Sequence, residues 1–270
     1  MSDLSFPKLL AGLVRIISAK PRVPRALHDN PSLATILNRR SIRQFTAEPI
    51  APQIWETILE AGRLAPSTVN LQTWSFAHFT GEQWRDFFGS PIPFQASHGV
   101  VILADTHRVR STLPEFPDAP LSEYTMGVMN ASLAAMNMVQ AAEAVGLGSV
   151  MLSETGRTGF YDAAHLAEIL ELPRGVVPIM SIVFGHTRAK SPVMPPKLPL
   201  EAVAFTGRYL ETPAEVRDNW RDQMRAGYQV THGGEKFSAK IAYYNRRIAD
   251  TERDLRRLIL GKEESKKETG

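Results

Sequence analysis

The chain has 270 residues, 43% of them hydrophobic and 22% charged, and its 31 Lys and Arg against 28 Asp and Glu leave a formal charge of +3. That composition supports a sizeable core, excludes a disordered or membrane-embedded chain, and gives no global nucleic-acid footprint. Cysteine is absent, which removes disulfides, thiolate nucleophiles and Cys-ligated metals.

In chain order, residues 1–30 read as a Pro-punctuated arm. Its apolar run Leu9 to Ile17 is broken by Arg15 and lacks a small-residue cleavage site, so it reads as a peripheral amphipathic helix. Asn30-Pro31 is a helix start, with Asn as cap and Pro in the first turn. That helix turns Leu33, Ile36 and Leu37 inward and ends on Arg39-Arg40-Ser41-Ile42-Arg43. Pro52 opens a second helix, with Ile54, Ile58, Leu59 and Leu64 on one face, and Pro66 stops it.

Trp74 to Thr80 reads as a strand and Glu82 to Phe88 as a short helix. Gly99 to Ala104 is a continuous apolar strand, buried on both faces. Three prolines between 108 and 124 predict a long loop of the kind that covers sites. Met126 to Val145 is apolar nearly all round and predicts a buried central helix, ended by Gly146-Leu147-Gly148. A short strand Ser149–Leu152, a polar turn Ser153–Gly159, a helix near Tyr161–Leu170 and a buried strand Val176–Phe184 follow. Charged amphipathic helices at 213–227 and 235–260 and a solvated tail complete the chain.

Two segments carry chemistry. Arg39, Arg40 and Arg43 flank Ser41; on charge alone they are a solvated helix end. About 25 residues on stands Pro66-Ser67-Thr68-Val69-Asn70-Leu71-Gln72-Thr73-Trp74. Guanidinium forks and hydroxyls suit a phosphate monoester, and amides on a loop match the edge of a flat heterocycle. Together they point to a phosphorylated aromatic cofactor, flavin mononucleotide. Other motifs are missing: there is no dinucleotide fingerprint, Walker loop, G-x-S-x-G or H-E-x-x-H, and the seven histidines have no metal-ligand spacing. His98 reads as a core or edge residue. Asn130-Ala131-Ser132 matches a glycosylation sequon inside the buried helix.

The two segments, in this order, resemble the nitroreductase family of FMN-dependent oxidoreductases, which carries R-x-S-x-R/K and then A-P-S-x-x-N-x-Q-P-W. Thr73 stands where that family usually has Pro, a departure expected to touch turn rigidity more than chemistry. Asn130 to Gly148, Leu170 to Pro178 and Lys197 to Val203 resemble three further family segments, so the likeness runs over roughly 32–204.

The resemblance implies an α+β fold: a mixed, mostly antiparallel sheet flanked by helices, with a helical C-terminal extension. Its domain division would be 1–30, 31–204 and 205–270. It implies FMN as cofactor and NAD(P)H as reductant, in a cytoplasmic homodimer with the flavin sites at the interface, no nucleic acid and no stable membrane insertion. Arg39 and Ser41, beside Arg40, would hold the phosphate or ribityl chain, and Arg43 the N1/C2 edge of the ring. Pro66, Ser67, Thr68, Asn70 and Gln72 would reach the flavin of the partner subunit. Gly159, after Thr158, would present a backbone N–H to flavin N5, with Gly156 as alternative. Of two usual phosphate cations, Pro195 stands in place of one and Lys197 in place of the other, with Arg188 or Lys190 as substitutes. No protein side chain would be the catalyst, because the flavin carries the chemistry: hydride passes from NAD(P)H to a nitroaromatic or quinone by a ping-pong route. Dehalogenation, enone reduction, flavin fragmentation and a non-enzymatic flavin-binding role are the alternatives.

Overall fold

A computed structural model describes residues 6–18, 20–21, 23–188, 194–232 and 236–261. Lys190 and the expected solvated tail lie outside the described residues. The chain divides into two compact units, Met1–Ala26 with Pro192–Arg246, and Leu27–Ser191 with Arg247–Gly270.

In the larger unit, local signals start the helices as the sequence requires. Asn30 caps helix α2 (Pro31–Asn38) by accepting from the Leu33 N–H at 3.0 Å. Helix α3 (Pro52–Arg63) begins on its proline. Thr80 and Gln83 close a capping box on helix α4 (Gly81–Phe88). The central helix α6 (Pro120–Ala144) ends at Gly146, whose φ of +80° is the left-handed geometry that glycine enters without cost.

The sheet has four strands in the order β1 (Trp74–Thr80), β2 (His98–Asp105), β4 (Val176–Gly185) and β3 (Gly148–Leu152), each antiparallel to its neighbour. An isolated parallel bridge joins Ser41 to Ser149 at its edge. The apolar run of β2 is buried at every position because helices cover both faces. Val100, Ile102 and Ala104 join the core under α3 and α6, while Val101 and Leu103 join Leu166 of helix α7 (Ala163–Ile169) on the other side.

Two expectations are corrected. The loop at 108–124 is largely helical: α5 spans His107–Thr112 and α6 starts already at Pro120, so only a short connection remains. An ion pair explains that order, with the Arg110 fork on the buried Glu123 at 2.6 and 2.7 Å. The central helix is also not buried all round. Leu121, Met129 and Leu133 are 62%, 59% and 47% exposed, so an apolar stripe of α6 faces outward.

In the smaller unit, helix α1 (Phe6–Ser18) packs on α8 (Ala214–Thr231) through Gly12, where a Cβ would collide with the Ala226 methyl. Helix α9 (Phe237–Leu260) begins in this unit, and its residues from Arg247 onward belong to the larger one. No helix among the described residues is long and apolar enough to cross a membrane.

Candidate functional site

The arginine segment leaves α2 and lies along β3. The Ile42 N–H donates to the Ser149 carbonyl at 2.9 Å, and the Thr46 N–H and Gln44 carbonyl pair with His186 and Arg188. This approach is possible because Gly148 has no side chain; a Cβ there would overlap Ile42 and Thr187. Arg40 turns back and donates to the Leu37 and Arg39 carbonyls at 2.9 and 2.8 Å, closing the end of α2. Arg39 and Arg40 lie within electrostatic reach of Glu143 on α6. Burial pushes that carboxyl above its ordinary value and the two guanidinium groups oppose the rise. Arg43 is exposed and, among the described residues, has no hydrogen bond or ion pair; the Ser41 hydroxyl and the Arg39 guanidinium make no hydrogen bond either. Two cationic forks around a hydroxyl, none committed to a carboxylate through a hydrogen bond, are a donor set fit for a phosphate monoester.

The amide loop is held from beneath. Asn130 of α6, 2% exposed, accepts from the Thr68 N–H and hydroxyl at 3.3 and 3.4 Å and donates to the Thr73 hydroxyl at 2.8 Å. Thr73 therefore does more than loosen a turn: its hydroxyl satisfies a buried amide, which a proline could not do. The same bonds account for Asn130 as a structural side chain. Between these anchors Val69, Asn70 and Gln72 have φ of 48°, 56° and 50°, unfavourable for side-chain-bearing residues and sustained only where the surroundings over-determine them. Pro66, Thr68, Asn70 and Gln72 are exposed, and Ser67 accepts from the Gln72 N–H at 3.0 Å.

The third set sits beyond β3. Thr158 is buried, hydrogen-bonded to Ser181 of β4 and to the Thr155 carbonyl, both at 2.9 Å. Gly159 is also buried, and a Cβ on it would run into the Ser153 backbone. Gly156 is exposed, with φ of +73°. Lys197 is exposed and belongs to the other unit.

Within one chain the arginine segment and the amide loop do not meet. The Asn130 end of α6 anchors the loop and the Glu143 end faces the arginines, and that stretch of helix measures about 20 Å at 1.5 Å per residue. The sheet register gives the same answer. Trp74 aligns through Ala104 with Val177, whereas Ser149 aligns with Phe184, about 23 Å further along β4 and about 14 Å across the sheet. An open cleft of roughly 1090 Å³ is lined by Trp55, His78, Arg85 and His98 among others, and by none of the residues expected to hold the cofactor.

A family model described as the nitroreductase family matches residues 36–89 and 83–186, taking in the arginine segment, the amide loop and the turn after β3. The chain belongs to the nitroreductase family. An NADPH-flavin oxidoreductase of Vibrio harveyi is 28% identical over 214 residues, 77% of this chain and 87% of that protein. An FMN reductase [NAD(P)H] of Bacillus subtilis is 30% identical over 235 residues, 81% and 92%. The structure of NADPH:FMN oxidoreductase from Vibrio harveyi complexed with NAD+ superposes with a TM-score of 0.67 at 26% identity, covering 83% of this nitroreductase-family chain and 98% of that one. The four-stranded antiparallel sheet with its helical flanks is thus the nitroreductase fold. One site-related residue escaped sequence reasoning. Arg247 reads as part of a solvated basic face interleaved with Asp250, Glu252 and Asp254, yet it reaches the Tyr161 carbonyl at 2.8 Å and Asp162 at 2.9 Å.

Proposed function

We propose that this protein is an FMN-dependent oxidoreductase that uses NAD(P)H, working as a homodimer with two flavin sites between the subunits. The observation that carries the reading is the separation of the arginine segment from the amide loop in one chain, combined with the exposed apolar residues Leu121, Met129 and Leu133 of α6 beside the loop's anchor. Two copies packed through α6 about a two-fold axis perpendicular to the helix, midway between Asn130 and Glu143, would lay the α6 helices antiparallel. The Asn130 end of one helix would then meet the Glu143 end of the other, and the loop of one copy would complete the arginine cluster of its partner. The names of the relatives, flavin and FMN reductases, support the cofactor and the reductant.

Bound FMN supplies the redox chemistry, accepting hydride from the nicotinamide and passing it to an electron-poor acceptor such as a nitroaromatic or a quinone. This chain's residues bind, orient and tune. Arg39 and Ser41 would hold the phosphate and the adjoining ribityl chain, with Arg40 fixing the helix end that presents them. Arg43 would stabilise negative charge at the N1/C2 edge, favouring the reduced state. Ser67, Thr68 and Asn70, with Pro66 and Gln72, would offer a second copy's ring edge its donors and acceptors. The turn at Thr158-Gly159 would present a backbone N–H toward N5. Hydride transfer needs no acid or base from these side chains, only alignment at close range. A single site that would serve donor and acceptor in turn would give ping-pong kinetics.

The test is an absorption spectrum of the purified protein, then anaerobic stopped-flow reduction by NADH and by NADPH. Flavin absorbance, bleached by either nicotinamide and restored by an added quinone or nitroaromatic, is the expected result. Colourless protein that takes up no added FMN sinks the reading.

A further inference from the structure

The turn between β3 and α7 is held from two sides. From within, the Tyr161 N–H donates to the Ser153 carbonyl at 3.1 Å, the Asp162 N–H to the Gly159 carbonyl at 2.9 Å, and Thr158 ties down to Ser181. Gly159 packs so closely on Ser153 that no side chain fits between them. From outside, α9 reaches over. Arg247 donates to the Tyr161 carbonyl at 2.8 Å and pairs with the buried Asp162 at 2.9 Å, and the buried Thr251, one turn on, donates to the same carbonyl at 3.4 Å. Arg157 adds a longer pairing to Asp162 at 3.7 Å, so the carboxylate lies between a cation of the turn and one of the helix. A guanidinium that serves a carbonyl and a carboxylate together fixes both in direction as well as distance.

We infer that Arg247, supported by Thr251 and Asp162, is a positioning residue that sets the direction of the Thr158-Gly159 backbone and through it the flavin's affinity and reduction potential. The inference rests on the flavin reading above. An N–H aimed at N5 favours the oxidised ring, where N5 is an acceptor, over the reduced ring, where N5 carries a proton. Releasing the turn therefore costs the oxidised form more than the reduced form. The C-terminal helix, eighty-odd residues from the turn in sequence, tunes the cofactor without touching it.

The experiment compares wild type, Arg247→Ala, Arg247→Lys, Thr251→Val and a same-helix control, Arg253→Ala, whose exposed pair with Asp250 faces elsewhere. FMN affinity is measured by flavin fluorescence titration and the midpoint potential by anaerobic dye equilibration. Arg247→Ala is expected to weaken oxidised FMN about tenfold more than reduced FMN, the loss of one backbone hydrogen bond to the ring. For a two-electron couple that is a rise of about 30 mV. Lys at 247, able to serve one partner but not both, recovers part of the shift. Thr251→Val, isosteric and minimal, shifts the potential in the same direction by less, and serves as the readout if Arg247→Ala does not fold. Arg253→Ala matches wild type. Unchanged affinity and potential in folded Arg247→Ala and Thr251→Val overturn the inference and leave the flavin reading standing. Wild type that binds no FMN overturns both.

Discussion

Asn130 and Thr73, fifty-seven positions apart, are joined by a 2.8 Å hydrogen bond with no solvent access at either side chain to speak of. The bond fixes the downstream end of the amide loop, and the Asn130 oxygen, accepting from Thr68, fixes the upstream end. Replacing Asn130 by Leu leaves the Thr73 hydroxyl and the Thr68 N–H without it, which costs about 1–3 kcal/mol for a buried unsatisfied group. Denaturant unfolding should show a lower midpoint with an unchanged slope. Thr73→Pro should be destabilised as well, because it strands the Asn130 amide and because Gln72, at φ of 50°, is outside the region a residue before proline prefers. Equal stability of both variants to wild type would remove the loop anchor from the account.

Arg39 and Arg43 should fail in different ways. Arg39→Ala is expected to weaken FMN by roughly 1.5–3 kcal/mol, about ten- to a hundredfold, while riboflavin, which has no phosphate, binds as before. Arg43→Ala should affect FMN and riboflavin alike and lower the midpoint potential, at about 30 mV for each 1.4 kcal/mol lost from the reduced state. Parallel titrations with the two ligands separate the roles; a phosphate-dependent loss at Arg43 would reverse them.

Leu133→Asp puts a charge on the exposed stripe of α6, at its end nearest the arginines. In a dimer built on that stripe the charge is buried without a partner, so the variant should sediment as a monomer and lose its flavin together with its partner. Analytical ultracentrifugation reads the first effect and the visible spectrum the second. A variant that stays dimeric and yellow rejects α6 as the contact.

Glu123 gives a pH signature. Burial alone would raise its carboxyl, but the Arg110 fork and the Ala119 N–H outweigh that and hold it below its ordinary value of 4.5. A group depressed in the folded state lends stability that is complete above its unfolded value and is lost as pH falls through its folded value. Stability should therefore decline below pH 4.5, and Glu123→Gln, less stable at neutral pH, should show a flatter acid limb in thermal melts. Arg110→Ala is the harsher change, leaving a carboxylate buried beside only weaker partners, and should cost about 3–5 kcal/mol.

Much of the architecture is local and was readable. Asn30 caps and Pro31 opens a helix with their own side chain and ring, the run Gly99 to Ala104 admits a strand covered on both faces, and Gly146 ends a helix by its backbone freedom. The arginine and amide segments were readable too, because residue type at fixed spacing survives without coordinates. What reading along the chain could not supply was distance. Three prolines between 108 and 124 signal a loop, yet the Arg110–Glu123 pair orders that stretch, and no window of sequence contains the energy of a side chain folding back over such a span. Nor does periodicity say which apolar face of α6 is left open. Arg247 looks like its solvated neighbours until the tertiary fold brings Tyr161 and Asp162 under it. Composition and local chemistry thus set the elements and the donor groups; only tertiary packing decided that the two donor clusters stand about 20 Å apart along α6, because it is the helix rise and the strand register, not the short sequence interval, that measure them.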